Sequence, residues 1–557
     1  MSTAISVLGG VGLFLLGMTV MTEGLKALAG SALRTVLSKA AATPLRGSFW
    51  GALVTLLIQS SSATTMTTIG LVSAGLLTFP QGLGLVFGAN IGTTGTGWLV
   101  ALIGVRVSLT AAALPMIFVG ALIKLLASGR ASGAGAALAG FGLVLFGLTT
   151  LQEGMGGLAE RLHPGDLPAV LADPDARWWW GMFGALVLVV VGLVMTAVMQ
   201  SSTAAVAVTL SAYYAGAVGL EQGCALIIGQ NIGTATSSAL AAIGASTTAK
   251  RLAIAYVLFK MIAAVIALTL IPIVTPLLIR ASKTIDGVML LAAYHTAYNV
   301  VGVLVLLPLI DHFTRLVERI LPERGSPLTR CLDPSALATP IVAVEAVRRT
   351  IARALAAVCG SVEAALVEEI RAEPVAGKDA ISVQEAADAL RQAQVFLSAV
   401  AGPPDTDDEQ QRLTSTLHAL DHASRLAETS RGIDFGTVRG GPDDARAGQL
   451  CADAMRIATS IADDLAALPG IDQSPRVSPA ASGAKALSTD EALVQLERCA
   501  AELEKLQRTH RSATLGAVAN GTLTADAAIV RVDTLRSLRA LAQHAWRCPA
   551  HLLGRDE

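Results

Sequence analysis

The sequence predicts an all-α polytopic membrane protein, with two inverted-topology repeats carrying re-entrant hairpins and broken helices, followed by a cytosolic helical bundle. Three observations predict it. Of the 557 residues, 53% are hydrophobic and only 15% charged, with mean hydropathy +0.60, too apolar for a soluble chain of this size. Apolar stretches continue to about Asp311, beyond which the chain turns charged and rich in Ala, Leu and Arg. Two polar motifs interrupt the apolar part and recur at one fixed offset.

The repeat is read directly from the residues. "GALVTLLIQSSS" (51–62) returns as "GLVMTAVMQSST" (192–203), and "GANIGTT" (88–94) as "GQNIGTA" (229–235), both 141 residues later. Upstream, "LLGMTVMTEGL" (15–25) answers "LFGLTTLQEGM" (145–155), which matches Glu23 to Glu153. Two spaced polar motifs in register mark a duplication, and loop charge gives its orientation. The loop after the first helix carries Lys26, Arg34, Lys39 and Arg46 and no acid. Its counterpart carries Glu153, Glu160, Asp166, Asp173 and Asp175 against Arg161 and Arg177. Cationic loops stay on the cytoplasmic side, so the two copies are expected to face opposite ways.

Element by element, repeat 1 spans residues 1–127, with a first helix, a hairpin at 47–79 around the QSSS knot, a helix at 80–104 broken at "GANIGTTGTG", and a crossing at 107–127. Repeat 2 spans 128–311, with a helix at 132–150, a hairpin at 179–220 around QSST, a broken helix at 221–247, a crossing at 252–279 and a last helix at 287–310. Phe49–Ile58 as a helix reaches about 15 Å, half of a roughly 30 Å hydrocarbon core, so each hairpin is expected to enter and leave on one side. Residues 312–334 read as a linker. Residues 335–557 read as a soluble bundle, with helical spacing over 341–371, 380–400, 409–430, 444–468, 488–519 and 523–546. No Lys or Arg precedes the first apolar run, which predicts a retained helix with its N-terminus outside and the bundle in the cytoplasm.

Several classes are disfavoured. A formal net charge of −1 suggests no nucleic-acid partner. The six cysteines have neither paired nor metal-type spacing and read as reduced thiols. There is no G-x-S-x-G and no G-x-x-x-x-G-K-[ST], so neither an enzyme, nor ATP-driven transport, nor a covalent cofactor is expected. His418 and His422 flank Asp421, a pattern that a solvated helix face explains more often than a metal does, and no metal is assigned there.

Paired broken helices in inverted repeats are the signature of a secondary transporter with its site at the midplane. Helix N-termini offer free N–H groups and partial positive charge to an anion, while exposed carbonyls and hydroxyls are hard ligands suited to Na⁺. No Asp or Glu occurs from Gly24 through Gln152, and only Glu221 from Trp178 to Ile285, so the knots are expected not to repel an oxyanion. A divalent anion entering against about 100 mV costs about 4–5 kcal/mol, which cotransported cations can offset.

The doubled QSSS motif, each copy followed by NIGT, resembles the type II sodium–phosphate cotransporters and their bacterial relatives over about residues 1–310. The remainder resembles the PhoU-like domain that many bacterial members append, on its bundle pattern and "LHALDHASRLAE" (417–428). The resemblance implies an inner-membrane protein in which Gln59, Ser60, Ser61, Ser62, Asn90, Gln200, Ser201, Ser202, Thr203 and Asn231 bind phosphate. It implies Na⁺ as coupling ion, with Thr93, Thr94, Thr234, Thr236 and Asn299 as candidate ligands. The chain departs from the family where relatives carry a polar His and Asn: here stand Tyr256 and Lys260, with apolar Ala113 and Ile117 in the first copy. Lys260 is an intramembrane cation, a functional candidate by default, and is read as a fixed charge replacing one Na⁺. A carrier of another small oxyanion and a non-transporting phosphate sensor are the alternatives. A regulatory partner or a second copy is expected at the bundle.

Overall fold

The computed structural model describes residues 3–40, 42–104, 110–170, 178–243, 246–322, 326–371, 381–400, 406–433, 435–439, 441–467 and 488–555. Among them there is no strand. Two compact units form: Met1–Ile69 with Phe79–Glu323, and Gly70–Thr78 with Arg324–Glu557.

The first unit opens with α1 (Thr3–Ala40), α2 (Pro44–Ile58), α3 (Ser61–Ser73, whose last turn from Gly70 belongs to the second unit), α4 (Phe79–Gly92), α5 (Gly95–Leu99), α6 (Thr110–Leu126) and α7 (Gly129–Ala159). Glycines on α1 (10, 17, 24) and α7 (133, 140, 147, 154) recur every seven residues. A Cβ on Gly17 would sit 2.5 Å from the Val144 backbone nitrogen, and one on Gly140 would sit 2.2 Å from that of Met21. The matched pairs, Gly10 with Leu151, Gly17 with Val144 and Gly24 with Ala137, show that the two helices run antiparallel. Lipid supplies no hydrophobic drive between helices, so this backbone-to-backbone van der Waals contact holds the seam.

The second half of the unit comprises α8 (Trp178–Met199), α9 (Ser202–Tyr214), α10 (Leu220–Ala241), α11 (Thr247–Ala281), α12 (Gly287–Leu306) and α13 (Ile310–Ile320). The packing repeats with the sequence. A Cβ on Gly51 would lie 2.2 Å from the Leu85 oxygen, and on Gly88 1.9 Å from that of Ser48. At the offset positions, Gly192 meets the Leu226 oxygen at 2.2 Å and Gly229 that of Val189 at 1.9 Å. In each copy, therefore, the first arm of the hairpin runs alongside, and parallel to, the helix bearing the Asn-Ile-Gly-Thr motif.

Three expectations change. In the first copy α4 stops at Gly92, and after Thr93 and Thr94 come short α5 and a π-helical turn, Val100–Gly104. The second NIGT helix does not break, since α10 runs on through Asn231 to Ala241. Gly95 and Gly97 weaken the helix in the first copy, whereas Thr236 and Ser238 hold those places in the second. The first arm of the second hairpin, α8, has 22 residues, long enough to cross a bilayer rather than reach halfway. Residues at the start of the expected linker form α13, whose Ile310, Phe313 and Val317 make a buried stripe, with Phe313 edge-on to Phe87 at 5.8 Å.

Among the described residues, seven helices are long and apolar enough to span a membrane. The first unit also exposes a belt of large apolar side chains, such as Phe118 at 67% and Val198 at 78%, a surface suited to lipid and not to water. The seventh apolar segment, Pro340–Ile370, belongs instead to the core of the second unit, through Val347, Ile351, Leu355, Val358 and Leu366.

The second unit contains α14 (Pro340–Arg371), α15 (Val383–Ser398), α16 (Asp407–Arg431), α17 (Pro442–Ala466), α18 (Thr489–Ala519) and α19 (Ala525–Leu552), within a few residues of the six helices read from periodicity. Side-chain caps start four of them: Ser382, Thr406, Ser488 and Thr524 each accept from a first-turn amide. Within this unit the Ser73 hydroxyl donates to the buried Asp333 carboxylate at 2.6 Å. Between α16 and α19 four imidazoles gather: His418 stacks on His551 at 5.1 Å, His422 on His551 at 5.4 Å, and the His422 and His544 Nδ1 atoms lie 3.0 Å apart. Desolvation, then the neighbouring His544 and His551 rings, push His422 down to about 4.

Two predictions follow from this packing. Gly140→Val drives a side chain into the Met21 backbone and should cost about 1–3 kcal/mol or more, read as a lowered melting temperature in detergent. Gly12→Ala, where the added Cβ meets nothing within 4 Å, should not lower it. Because His422 is held below its unfolded value of about 6.5, the unfolded chain takes up the proton first. The second unit should therefore lose stability as pH falls from about 6.5 to about 4, and His422→Gln should flatten that part of a melting-temperature–pH profile.

Candidate functional site

Each hairpin reverses direction in a single residue. Gln59 (φ 59°) and Gln200 (φ 52°) are the two non-glycine residues with positive φ among the described residues, and they occupy equivalent places in the repeat. A left-handed residue with a Cβ costs roughly 1–2 kcal/mol, so something must hold each turn. The Gln59 amide donates to the Thr55 oxygen at 2.7 Å and the Gln200 amide to the Thr196 oxygen at 2.8 Å, closing α2 and α8.

The glutamine side chains complete the lock. The Gln59 carboxamide donates to the Leu56 oxygen at 2.5 Å and accepts from the Thr96 hydroxyl. That of Gln200 donates to the Ala197 oxygen and accepts from the Ser237 hydroxyl at 2.6 Å. Thr96 and Ser237 are themselves 141 residues apart, so both partners of each glutamine repeat. The next residue then caps the second arm: the Ser60 hydroxyl accepts from the Ala63 amide, and that of Ser201 from the Ala204 amide, both at 3.2 Å. The first-turn amides of Ser61 and Ser62, and of Ser202 and Thr203, are left over by the helices they begin.

Both tips open on one cavity of about 370 Å³. Its wall includes Gln59, Ser60, Ser61, Ser62, Thr93, Gln200, Ser201, Ser202, Thr203 and Thr234, together with Thr65, Ser237, Ser238 and Tyr256. Two positively polarised helix ends and a ring of neutral donors are features suited to a small anion. α1 completes the wall with Thr19, Thr22, Glu23 and Lys26. The expectation of a carboxylate-free site is thereby corrected: Glu23 stands at the rim, with Lys26 three residues on. Its match to Glu153 in the repeat was the signal that could have brought it forward.

Of the other candidates, Thr93 and Thr234 belong to this wall, whereas Asn90, Thr94, Asn231, Thr236 and Asn299 do not line it. Thr93 and Thr234 donate to the Asn90 and Asn231 oxygens at 2.8 and 2.7 Å, which turns their hydroxyls back on their own helices. Thr236 donates to the Gly233 oxygen at 2.7 Å, and Thr94 to that of Ile91 at 2.7 Å while accepting from Thr296 at 3.0 Å. Asn231 donates to the Asn299 carboxamide at 3.0 Å and accepts from Lys260, and Asn299 donates to the His295 oxygen at 2.9 Å. The Lys260 ammonium is fully buried and lies 5.2 Å from the centre of the Tyr256 ring. Among the described residues no group of three His, Cys, Asp or Glu side chains could hold a metal ion. The oxygen-rich surroundings of the two NIGT segments are instead suited to a hard monovalent cation.

A multi-pass membrane protein in which two repeated polar turns close on one cavity shares its architecture with carriers of small solutes. The Na⁺/Pi-cotransporter family matches residues 13–153 and 184–282, which takes in both hairpins and both NIGT segments. Over those residues the chain is similar to that family. The chain is 28% identical over 313 residues to the uncharacterized protein YqeW of Bacillus subtilis, covering 56% of this chain and 96% of that one. It is 29% identical over 358 residues to YjbB of Escherichia coli, a protein named provisionally for inorganic phosphate export, covering 63% of each chain. A 62-residue stretch is 47% identical to human sodium-dependent phosphate transport protein 2B, covering 11% of this chain and 9% of that one. No solved structure matches.

The strained turns carry their own prediction. Gln59→Gly relieves the left-handed backbone but loses the side-chain bonds, so thermal stability in detergent should change by less than about 1 kcal/mol. Gln59→Val puts a β-branched residue where it is a steric outlier and should cost roughly 1–3 kcal/mol. The same contrast should hold at Gln200.

Proposed function

We propose that this protein is a sodium-coupled carrier of inorganic phosphate, seated in the inner membrane with its N-terminus outside and its helical bundle in the cytoplasm. The observation that carries the reading is the shared cavity, where two capped helix N-termini from two repeated hairpins meet with neutral hydroxyls and carboxamides around them. The names of the relatives, one for phosphate export and one for sodium-dependent phosphate transport, support phosphate as the anion.

In this reading the phosphate oxygens take the free amides of Ser61, Ser62, Ser202 and Thr203 and the hydroxyls of the two knots, with the carboxamides of Gln59 and Gln200 at its sides. Asn90, Asn231, Thr94, Thr236 and Asn299, next to Thr93 and Thr234 of the wall, form the oxygen-rich layer where cationic charge is held. The antiparallel run of α1 and α7, which open the two copies, supports inverted repeats. Alternating access is then one repeat rocking against the other, so that the cavity opens to each side in turn. The bundle, read as PhoU-like, adjusts flux in response to a cytoplasmic signal.

Proteoliposomes of the full chain should take up radiolabelled phosphate faster with an imposed sodium gradient than with a potassium one. Ser62→Ala and Thr203→Val remove hydroxyls that do not cap their helices, and each should raise the phosphate concentration for half-maximal uptake about five- to hundredfold, the worth of about 1–3 kcal/mol. Saturable phosphate binding with no flux in either gradient would favour a sensor. Flux of another oxyanion at phosphate's expense would move the substrate assignment.

A further inference from the structure

The two asparagines of the NIGT segments occupy equivalent positions but are left in different states. Asn90 is 1% exposed; its nitrogen donates to the Val86 oxygen at 2.9 Å, and its carboxamide oxygen is buried with no hydrogen-bond partner. Asn231 is 3% exposed, and its oxygen is taken by the Lys260 ammonium. Its nitrogen is tied to Asn299, which fixes which way the carboxamide points. In the first copy the residue matched to Lys260 by the resemblance is the apolar Ile117.

A buried oxygen without a donor is expensive, and in a native fold such a group calls for an explanation. Next to Asn90 a small hard cation supplies it, since carboxamide and backbone oxygens are ligands such ions prefer. At Asn231 the same oxygen already holds a positive charge, delivered on a four-carbon stem. Lys260 is 2% exposed, and its contacts are an amide oxygen and the face of the Tyr256 ring, both of which favour a cation without neutralising it. An ammonium arranged in this way is placed as a bound ion would be.

We propose that the two halves carry equivalent cation sites, of which the Asn90 site takes Na⁺ from solution and the Asn231 site is filled permanently by the tethered ammonium of Lys260. This rests on the sodium–phosphate reading above and adds a stoichiometry to it: this chain binds one Na⁺ fewer per phosphate than a chain with an open second site. Tyr256 lines the phosphate cavity and stands beside Lys260, so the fixed charge acts on the anion from one layer behind the wall. Because the ammonium stays with the protein, it attracts the anion without being consumed in the cycle.

The test is phosphate binding to the purified full chain in detergent, measured with radiolabelled phosphate over a range of Na⁺ at constant ionic strength made up with choline. The wild type should keep measurable affinity without Na⁺. Lys260→Asn should lose at least about tenfold in Na⁺-free buffer, the worth of about one charge-assisted hydrogen bond. It should recover as Na⁺ rises, with the slope of log affinity against log Na⁺ steeper by about one ion. Lys260→Arg should keep the wild-type slope, and Asn90→Leu should flatten it. An unchanged slope in Lys260→Asn, or undiminished sodium activation in Asn90→Leu, would overturn the inference while leaving sodium-coupled transport in place. If the wild type binds no phosphate at any Na⁺, the functional reading fails and this inference falls with it. Should Lys260→Asn not fold, the ratio of radioactive sodium to phosphate taken up by wild-type proteoliposomes decides the matter: two or more Na⁺ per phosphate would sink it.

Discussion

The left-handed turn at Gln59 and Gln200 is the constraint from which the rest of the membrane unit follows. A helix that simply continued would bury its amides in its own hydrogen bonds. Reversal within one residue leaves the next helix to start in the interior, where its first-turn N–H groups have no partner of their own. The turn is unfavourable for any residue with a Cβ, and here it is stabilised by interactions that come from elsewhere: a carbonyl one turn back, and a hydroxyl (Thr96 or Ser237) from the segment packed alongside. The backbone strain and the proposed anion site are thus one feature, because relaxing the turn would also withdraw the donors.

Close packing is what allows those hydroxyls to reach. Thr96 follows α4 and Ser237 lies on α10, and each helix is drawn against its hairpin by glycines at which a methyl group would collide with backbone. Polar interior groups in a membrane are tolerable only when other protein groups satisfy them. The glycine contacts therefore stabilise twice, through direct van der Waals contact and by bringing the glutamines' partners within hydrogen-bonding distance.

Much of this was legible in the sequence, for a physical reason. A fixed offset of 141 is unaffected by how the chain packs, so the repeat, the two knots and the six helices of the second unit could be read from periodicity and spacing. What needed coordinates was whatever depends on a second segment. Thr96 and Ser237 look like ordinary helix hydroxyls until they are seen against the glutamines, and neither the repeat that marks Glu23 nor the position of Tyr256 tells by itself that these residues and Lys26 reach the cavity. The break assigned to α10 failed because the NIGT residues alone do not interrupt a helix; the glycines after them do, and only one copy has those. His418 and His422 were visible, but their stacking partners His544 and His551 lie more than a hundred residues away on α19.

The asymmetry between the copies bears on how an anion is held. Duplication alone would give two equivalent half-sites, yet one half has an interrupted helix, and the other an unbroken helix with a lysine beside it. Burying an ammonium among neutral groups costs several kcal/mol, and a carboxylate partner would offset that only by filling the site with opposite charge. With an amide and an aromatic ring as its contacts, Lys260 keeps its field available. Opposite charges separated by about 6–8 Å, roughly one side chain, attract by about 2–3 kcal/mol at an effective dielectric of 20. That is comparable to the contribution of one or two good hydrogen bonds in the wall, so in the proposed carrier a single lysine one layer back would weigh as much in anion binding as the serines of the two knots.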